Sequence, residues 1–283
     1  MKNNIFLTLS CYNTSGSTSG FYIKNNCVGT GNMLFQISSC INYALKNNAC
    51  LYVPCLNTYF YLEELNKNET IFRNINTDII SEFNEANIID TSEKSDYYIF
   101  NQPFYNNIHF KGYFENFENF DENKDIIQNY FSPNENDINY IFEKYPFIKD
   151  EFITSLHVRM GPCIRNHYSH EKITFIENTY FELIDYMIDN KNINKVMVLT
   201  NDKEYCKNIF DNNEKYKNIT FYYSDETKDY IDMWIISLIK NNILSFSTFS
   251  LWGSYLNKNK DKFIIGSNKT VKEILKYREW NYI

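Results

Sequence analysis

F-I-T-S-L-H-V-R-M-G-P-C, residues 152 to 163, alternates apolar and polar side chains as a strand does. Side chains two apart on a strand share a face, so His157 and Arg159 are neighbours just before Gly161 and Pro162 end the strand. A ring nitrogen and a guanidinium fork aimed out of a strand's carboxyl end suit a phosphate group. Taken alone, the same letters also describe an edge strand with two solvated polar residues. The surrounding chain separates these readings.

Downstream of this stretch, apolar runs alternate in period. A strand is predicted over Phe152–Val158, and a helix over Ile173–Asn190 with Ile176, Tyr180, Leu183, Ile184 and Met187 on its inner face. Then follow a strand over Val196–Leu199, a helix over Lys203–Phe210 and a strand over Ile219–Tyr223. The next helix, Asp229–Asn241, is apolar nearly all round and so is expected to be buried. A strand over Ile243–Phe246, a polar turn over Ser247–Ser250, a helix over Leu251–Leu256, a strand over Phe263–Ile265 and a C-terminal helix over Thr270–Tyr277 complete the chain. Strands alternating with helices imply a parallel sheet of βαβ units.

Polar residues cluster where three of these strands end: His157 and Arg159; Thr200, Asn201 and Asp202; and Ser247, Thr248 and Ser250. In open α/β sheets ligands bind outside the carboxyl ends of strands, at helix N-termini. Ser247 and Thr248 offer hydroxyl and N–H groups to a diphosphate, Arg159 offers charge, and Asp202 or Asp232 could accept from a base or ribose. Simple helix capping accounts for Ser247, Ser250 and Asp202 one at a time. All three clusters together favour a nucleotide crevice.

The first half is less regular. A strand is predicted over Ile5–Leu9, a helix from near Asn32 and a strand over Leu51–Val53. Gly29, Thr30 and Gly31 form a loop at that helix's N-terminus, where N–H groups and the positive dipole end suit an anion. Short helical runs are expected at Phe60–Leu65 and Asp125–Tyr130, strands at Asp96–Phe100 and Ile108–Tyr113, and a helix start at Ser132–Glu135. The domain boundary is placed near Asp150, giving domains 1–150 and 151–283.

Composition bounds the function. With 283 residues, 43% hydrophobic and 18% aromatic, the chain can bury a large core. A net charge of −7, from 28 basic and 35 acidic residues, argues against a nucleic-acid partner. Seven cysteines in a chain this long suit a reducing compartment better than a disulfide framework, and no Cys-x-x-Cys or Cys/His cluster has zinc spacing. The opening M-K-N-N-I-F-L-T-L-S-C-Y-N turns polar too soon for a signal peptide or anchor. A soluble cytoplasmic protein with no integral membrane segment is expected.

Several segments resemble the α-1,2-fucosyltransferases, glycosyltransferase family eleven. G-T-G-N-M-L-F-Q (29–36) is similar to that family's G-x-x-G-N-Q-x-F-Q, with Met33 in place of Gln, and H-F-K-G-Y-F-E-N-F-E-N-F (109–120) is similar to L-x-G-Y-F-Q-S-x-x-Y-F. H-V-R-M-G resembles H-x-R-R-G-D, with Met160 at the second Arg and Pro162 at the Asp, and S-T-F-S-L-W-G-S-Y-L-N (247–257) resembles S-T/S-F-S-x-W-G-A-x-L-N. T-N-D, K-D-Y-I-D-M-W and R-E-W-N-Y-I fall in family order. The resemblance implies an α/β, GT-B-like pair of Rossmann-type domains with the donor site in the C-terminal one, the last helix packing back on the first domain. It implies inverting transfer of fucose from GDP-fucose to a galactose-like glycan acceptor in an α-1,2 linkage, without metal or other cofactor. Arg159 and His157 are then the expected catalytic residues, and Gly31, Asn32, Asp202, Asp232, Ser247, Thr248, Phe249 and Ser250 the expected donor-binding ones, with Asp232 toward guanine. Inversion also asks for a base, for which His109, Glu115, Asp96, His167 and His170 are all open. Two alternatives stand beside this reading: transfer of another deoxyhexose such as rhamnose on the same fold, and a catalytically silent glycan- or nucleotide-binding module.

Overall fold

The computed structural model describes residues 3–9, 29–57, 60, 64–78, 87–90, 107–161 and 165–283. The chain divides into two compact units, 1–132 and 133–283.

The first unit is built on a parallel sheet of β1 (Asn3–Leu9), β2 (Ala49–Tyr52), β3 (Asn87–Asp90) and β4 (Ile108–Gly112), in the order β2-β1-β4-β3. Ile5 stands opposite Leu51 on one side and Ile108 on the other, and Ile5, Phe6 and Leu7 are fully buried. An unbroken apolar run of this kind marks a parallel strand covered on both faces. Helix α1 (Thr30–Lys46) is buried all round, polar residues included. Its Asn42 is accommodated because Nδ2 donates to the Asn119 carbonyl and to Glu122, both at 2.7 Å, while Oδ1 accepts from Asn123 at 2.6 Å. The segment F-E-N-F-E-N-F (114–120) carries Phe at every third position. That period fits a 3-10 turn, whose side chains eclipse at i and i+3; the chain makes such turns at Phe117–Asn119 and Asp121–Asn123, and Phe114, Phe117 and Phe120 are buried. Phe117 meets Phe35 of α1 edge-on at 4.9 Å, and α2 (Lys124–Phe131) follows. The expected strand Asp96–Phe100 lies outside the described residues, as do residues 61–63 of the expected helical run Phe60–Leu65. Strand β3, N-I-I-D, is too short and too polar at its ends to announce itself by pattern.

In the second unit α3 (Glu135–Lys144) comes first, opened by a capping box in which Asn134 and Asp137 exchange side-chain bonds to each other's N–H groups at 3.0 and 2.9 Å. This helix, ahead of Asp150 in sequence, is tied into the second unit by Lys144 to Glu226 at 2.8 Å and Tyr145 to Glu226 at 3.0 Å. The sheet comprises β5 (Ile153–Val158), β6 (Lys195–Thr200), β7 (Thr220–Tyr223), β8 (Asn241–Ile243), β9 (Phe263–Gly266) and β10 (Asn281–Tyr282). All its pairings are parallel, in the order β10-β9-β8-β5-β6-β7. The chain winds outward from β5 to β7, then crosses back to β8 and winds the other way. This is the doubly wound dinucleotide-binding order, and its direction reverses between β5 and β8.

Helices α4 (His170–Lys191), α5 (Lys203–Phe210), α6 (Asp229–Leu238) and α7 (Thr248–Tyr255) connect these strands. The five inner residues predicted for α4 are all buried, against Leu156, Val158, Val196 and Val198 of the sheet and Cys206 and Phe210 of α5. Burying each large aliphatic side chain contributes about 1.5–3 kcal/mol.

Two helix ends depart from the expected pattern. Helix α6 stops at Leu238 because its last carbonyls find partners elsewhere: Asn242 Nδ2 donates to the carbonyls of Ile236 and Ile239 at 3.0 and 3.2 Å, and Asn257 Nδ2 to Ile239 at 2.8 Å. Carbonyls so satisfied need no further helical turn. The expected C-terminal helix Thr270–Tyr277 is replaced by a 3-10 turn at Glu273–Leu275 and by edge strand β10. The chain end pairs with the sheet edge, Ile283 N–H to the Gly266 carbonyl at 3.1 Å and Asn268 N–H to the Ile283 carbonyl at 2.8 Å. Tyr277, Trp280 and Tyr255 close over it edge to face. The spacing of Val271 and Leu275 suggests a helix, but the aromatic run that follows takes the chain to the sheet.

Candidate functional site

Strand β5 delivers two kinds of residue to its carboxyl end. Leu156, Val158 and Met160 point into the core under α4 and are wholly buried. His157 and Arg159 alternate to the other side, His157 half-buried and Arg159 exposed. Met160, which stands where the family resemblance has a second Arg, is therefore a core residue, and its change of type falls outside the crevice. Among the described residues no carboxylate pairs with the Arg159 guanidinium.

Across the reversal point, the loop after β8 folds S-F-S-T-F-S (245–250) around its own hydroxyls. Ser245 Oγ lies 3.1 Å from His157 Nδ1 and 3.0 Å from Ser250 Oγ, and accepts the Ser247 N–H at 3.2 Å. Ser250 Oγ accepts the Ser245 N–H at 3.0 Å and donates to the Ser247 carbonyl at 2.9 Å. Ser247 caps α7 by accepting the Phe249 N–H at 3.3 Å. The hydroxyls of Ser247 and Ser250 are thus turned inward and shape the loop, while Thr248 and Phe249 lie half-buried in the first turn of α7. The Phe249 ring stacks on the His157 imidazole, centroids 4.8 Å apart. Burial, reinforced by the Arg159 charge, lowers the His157 pKa to about 3, so the ring is neutral over the ordinary pH range.

At the end of β6, Asn201 Oδ1 accepts the N–H groups of Met160 and Gly161 at 3.3 and 3.1 Å, fastening the chain that leaves β5. Asp202 caps α5 by accepting the Tyr205 N–H at 3.2 Å, and its other oxygen pairs with Arg165, whose guanidinium lies 5.1 Å over the Tyr205 ring. Asp202 is thereby engaged within the protein. Asp232, in the first turn of α6, accepts from the Ser224 hydroxyl just past β7. Burial, with Glu226 and Asp229 nearby, raises its pKa to about 7 against the opposing pull of Ser224.

The second unit alone thus gathers His157, Arg159, Thr248 and Phe249 around the β5–β8 reversal, with Asp202 beyond β6 and Asp232 beyond β7. Gly31 and Asn32 belong to the first unit, in the opening turn of α1, where Asn32 N–H bonds the Gly29 carbonyl at 2.9 Å. Of the open candidates for a base, His109 and Glu115 are buried in the first unit, His167 and His170 are exposed in the second, and Asp96 and also Pro162 lie outside the described residues. Ser245 was not singled out by sequence; its signal was the repeated serine in S-F-S-T-F-S, with a hydroxyl two residues before the cap. Among the described residues no cluster of His, Cys, Asp and Glu could hold a metal ion, and no helix is long and apolar enough to cross a membrane.

The profile of Glycosyl transferase family 11 matches residues 45–283. The chain is 30% identical over 163 residues to the O-antigen biosynthesis glycosyltransferase WbnK of Escherichia coli, covering 56% of this chain and only 53% of that protein. It is 27% identical over 260 residues to an alpha-1,2-colitosyltransferase of Escherichia coli, covering 82% of this chain and 86% of the relative. Among solved structures it is similar to NodZ alpha-1,6-fucosyltransferase soaked with GDP-fucose, with a TM-score of 0.53 at 11% identity over 90% of this chain and 93% of that one. It is also similar to POFUT1 in complex with GDP, with a TM-score of 0.52 at 10% identity over 93% and 97%. The parallel sheets of the two units are those of this GT-B-like fold.

Proposed function

The chain belongs to glycosyl transferase family 11, and from that premise we propose that it transfers a 6-deoxyhexose from a GDP-sugar to a hydroxyl of a galactose-like glycan, with inversion. The observation that carries this reading is the convergence of Arg159, His157 and the first turn of α7 on the β5–β8 reversal, the place where doubly wound sheets bind nucleotides. In the reaction the acceptor oxygen attacks the anomeric carbon as its bond to the β-phosphate oxygen breaks, and the electron pair departs with GDP. Negative charge builds on the leaving phosphate through an oxocarbenium-like state. A guanidinium and a helix N-terminus beside that phosphate stabilise that state more than the bound substrate. Since groups of the chain meet the diphosphate charge, activity is proposed to persist in EDTA.

Fucose from GDP-fucose, in an α-1,2 linkage, is the first reading for the transferred sugar. A colitosyl donor is the second, favoured by the relative of that name that matches 82% of this chain. Few pocket contacts separate such sugars. Incubation with a panel of GDP- and non-GDP-sugars, with galactosides as acceptors and mass spectrometry of the products, tests both. Turnover of a GDP-deoxyhexose upholds the proposal and names the sugar. Binding of nucleotide without transfer or hydrolysis of any donor would favour a silent binding module in its place.

A further inference from the structure

We propose that Ser245 is a positioning residue that holds His157 as its Nδ1–H tautomer, so that Nε2 presents a lone pair to an O–H or N–H group of the bound nucleotide sugar and no proton to its phosphates. The nature of the ligand rests on the function proposed above; the tautomer does not.

The assignment follows from counting hydrogens in the loop after β8. A backbone N–H only donates, a carbonyl only accepts, and each hydroxyl has one proton to give. Ser250 has two carbonyls in reach, Ser247 at 2.9 Å and Ser245 at 3.4 Å, and gives its proton to the nearer. The 3.0 Å contact between the Ser245 and Ser250 hydroxyls must then use the proton of Ser245. Ser245 Oγ is left to accept, from the Ser247 N–H at 3.2 Å and from His157 Nδ1 at 3.1 Å, and the second bond requires Nδ1 to carry a hydrogen. In the opposite tautomer Ser245 turns its proton to Nδ1. Either two hydroxyl oxygens then face each other with no hydrogen between them, or Ser250 gives up its bond to the Ser247 carbonyl, which keeps the Ser250 N–H at 3.1 Å, and the loop holds one hydrogen bond fewer. Ser245 and Ser250 are each 1% exposed, so solvent does not replace the lost bond.

The ring has one proton to place, because burial and Arg159 keep it neutral. With that proton on Nδ1, Nε2 is bare, and among the described residues it has no hydrogen-bond partner. Phe249 stacked on the imidazole holds the plane of the ring. A bare ring nitrogen repels a phosphate oxygen and accepts from a hydroxyl or ring N–H. The two polar residues of H-V-R therefore divide their work: Arg159 meets charge, and His157 reads a neutral group of the ligand.

The test is long-range proton–nitrogen correlation NMR on the full chain, with nitrogen-15 in its histidines and His157→Gln used to assign the signal. The expected result is the Nδ1–H pattern in ligand-free wild type, its loss to Nε2–H or a mixture in Ser245→Ala, and its return in Ser245→Thr, which keeps the hydroxyl. An Nε2–H pattern in wild type, or an unchanged Nδ1–H pattern in Ser245→Ala, overturns the proposal; the wild-type measurement decides even if the alanine variant does not fold. Kinetically, Ser245→Ala should raise KM for GDP-fucose about three- to tenfold, as one lost hydrogen bond does, with inhibition by inorganic pyrophosphate unchanged. Pyrophosphate inhibition weakened in step with KM would place His157 on the phosphates and overturn the lone-pair assignment. The Nδ1–H pattern together with no turnover of any nucleotide sugar upholds the role of Ser245 and overturns the function proposed above.

Discussion

Gly161 and Asn201 are in contact that no larger residue at 161 would permit: Asn201 Oδ1 accepts the Gly161 N–H at 3.1 Å, and a Cβ on Gly161 would stand 2.3 Å from Asn201 Nδ2. The same oxygen holds the Met160 N–H at 3.3 Å, so one side chain at the end of β6 fixes the loop that leaves β5.

Gly161→Ala should push the Asn201 amide aside and release both N–H groups. Each bond contributes about 0.5–1.5 kcal/mol, so a stability loss of about 1–3 kcal/mol is expected in chemical denaturation. Asn201→Ala removes the same bonds, and the double variant should be hardly worse than either single one, because they share one interaction. Full additivity would mean that the two residues act separately.

A second glycine sets the distance between α6 and α7. A Cβ on Gly253 would lie 2.7 Å from both Cβ and Cγ2 of Ile236, atoms too near the backbone to swing away. Gly253→Ala should therefore cost about 1–3 kcal/mol by overpacking, seen as a lower denaturation midpoint with an unchanged slope. A variant as stable as wild type would mean that these helices do not approach so closely.

The second unit was legible because its elements carry their own periods: α4 shows its inner face at Ile176, Tyr180, Leu183, Ile184 and Met187, and β5 and β6 read as alternating or continuous apolar runs. What escaped was set by tertiary partners. Asn242 looks like loop, yet its amide ends α6 from within β8, and the closing aromatics bring the C-terminus to the sheet edge where spacing suggests a helix. At the site, His157, Arg159 and the S-T-F-S segment could be found by position at strand ends. The direction of each serine could not, since whether Ser247 and Ser250 face a ligand or their own loop depends on bonds to Ser245 across the turn.

Asp232 makes a prediction about pH. Burial raises its folded-state pKa to about 7, against about 3.9 in the unfolded chain. A carboxyl raised in this way favours the folded state below the unfolded value, and the benefit is lost as pH climbs through the folded one. The stability of wild type relative to Asp232→Asn should fall between about pH 4 and pH 7 and level off above, as read from paired denaturation curves. A difference that rises over this window would mean that the Ser224 hydroxyl outweighs burial and holds the carboxylate charged.

Arg159 should matter to the chemical step more than to folding. It lies just beyond β5, exposed, and no carboxylate among the described residues pairs with it, so Arg159→Ala opens no cavity and strands no buried charge. Its effect on stability should stay within about 0.5 kcal/mol. If the guanidinium meets the diphosphate, the ground state loses a charge-assisted bond, about ten- to a hundredfold in GDP affinity. The leaving group gains negative charge as the glycosidic bond breaks, so kcat should drop further, by about 100- to 1000-fold. Arg159→Lys should recover little, because a compact ammonium cannot reproduce the planar fork on two phosphate oxygens. Titration calorimetry with GDP and turnover of a GDP-deoxyhexose measure the two effects separately. Normal folding with near wild-type turnover in Arg159→Ala would remove Arg159 from the phosphate site, and a loss confined to KM would mean that it binds the substrate without favouring the transition state.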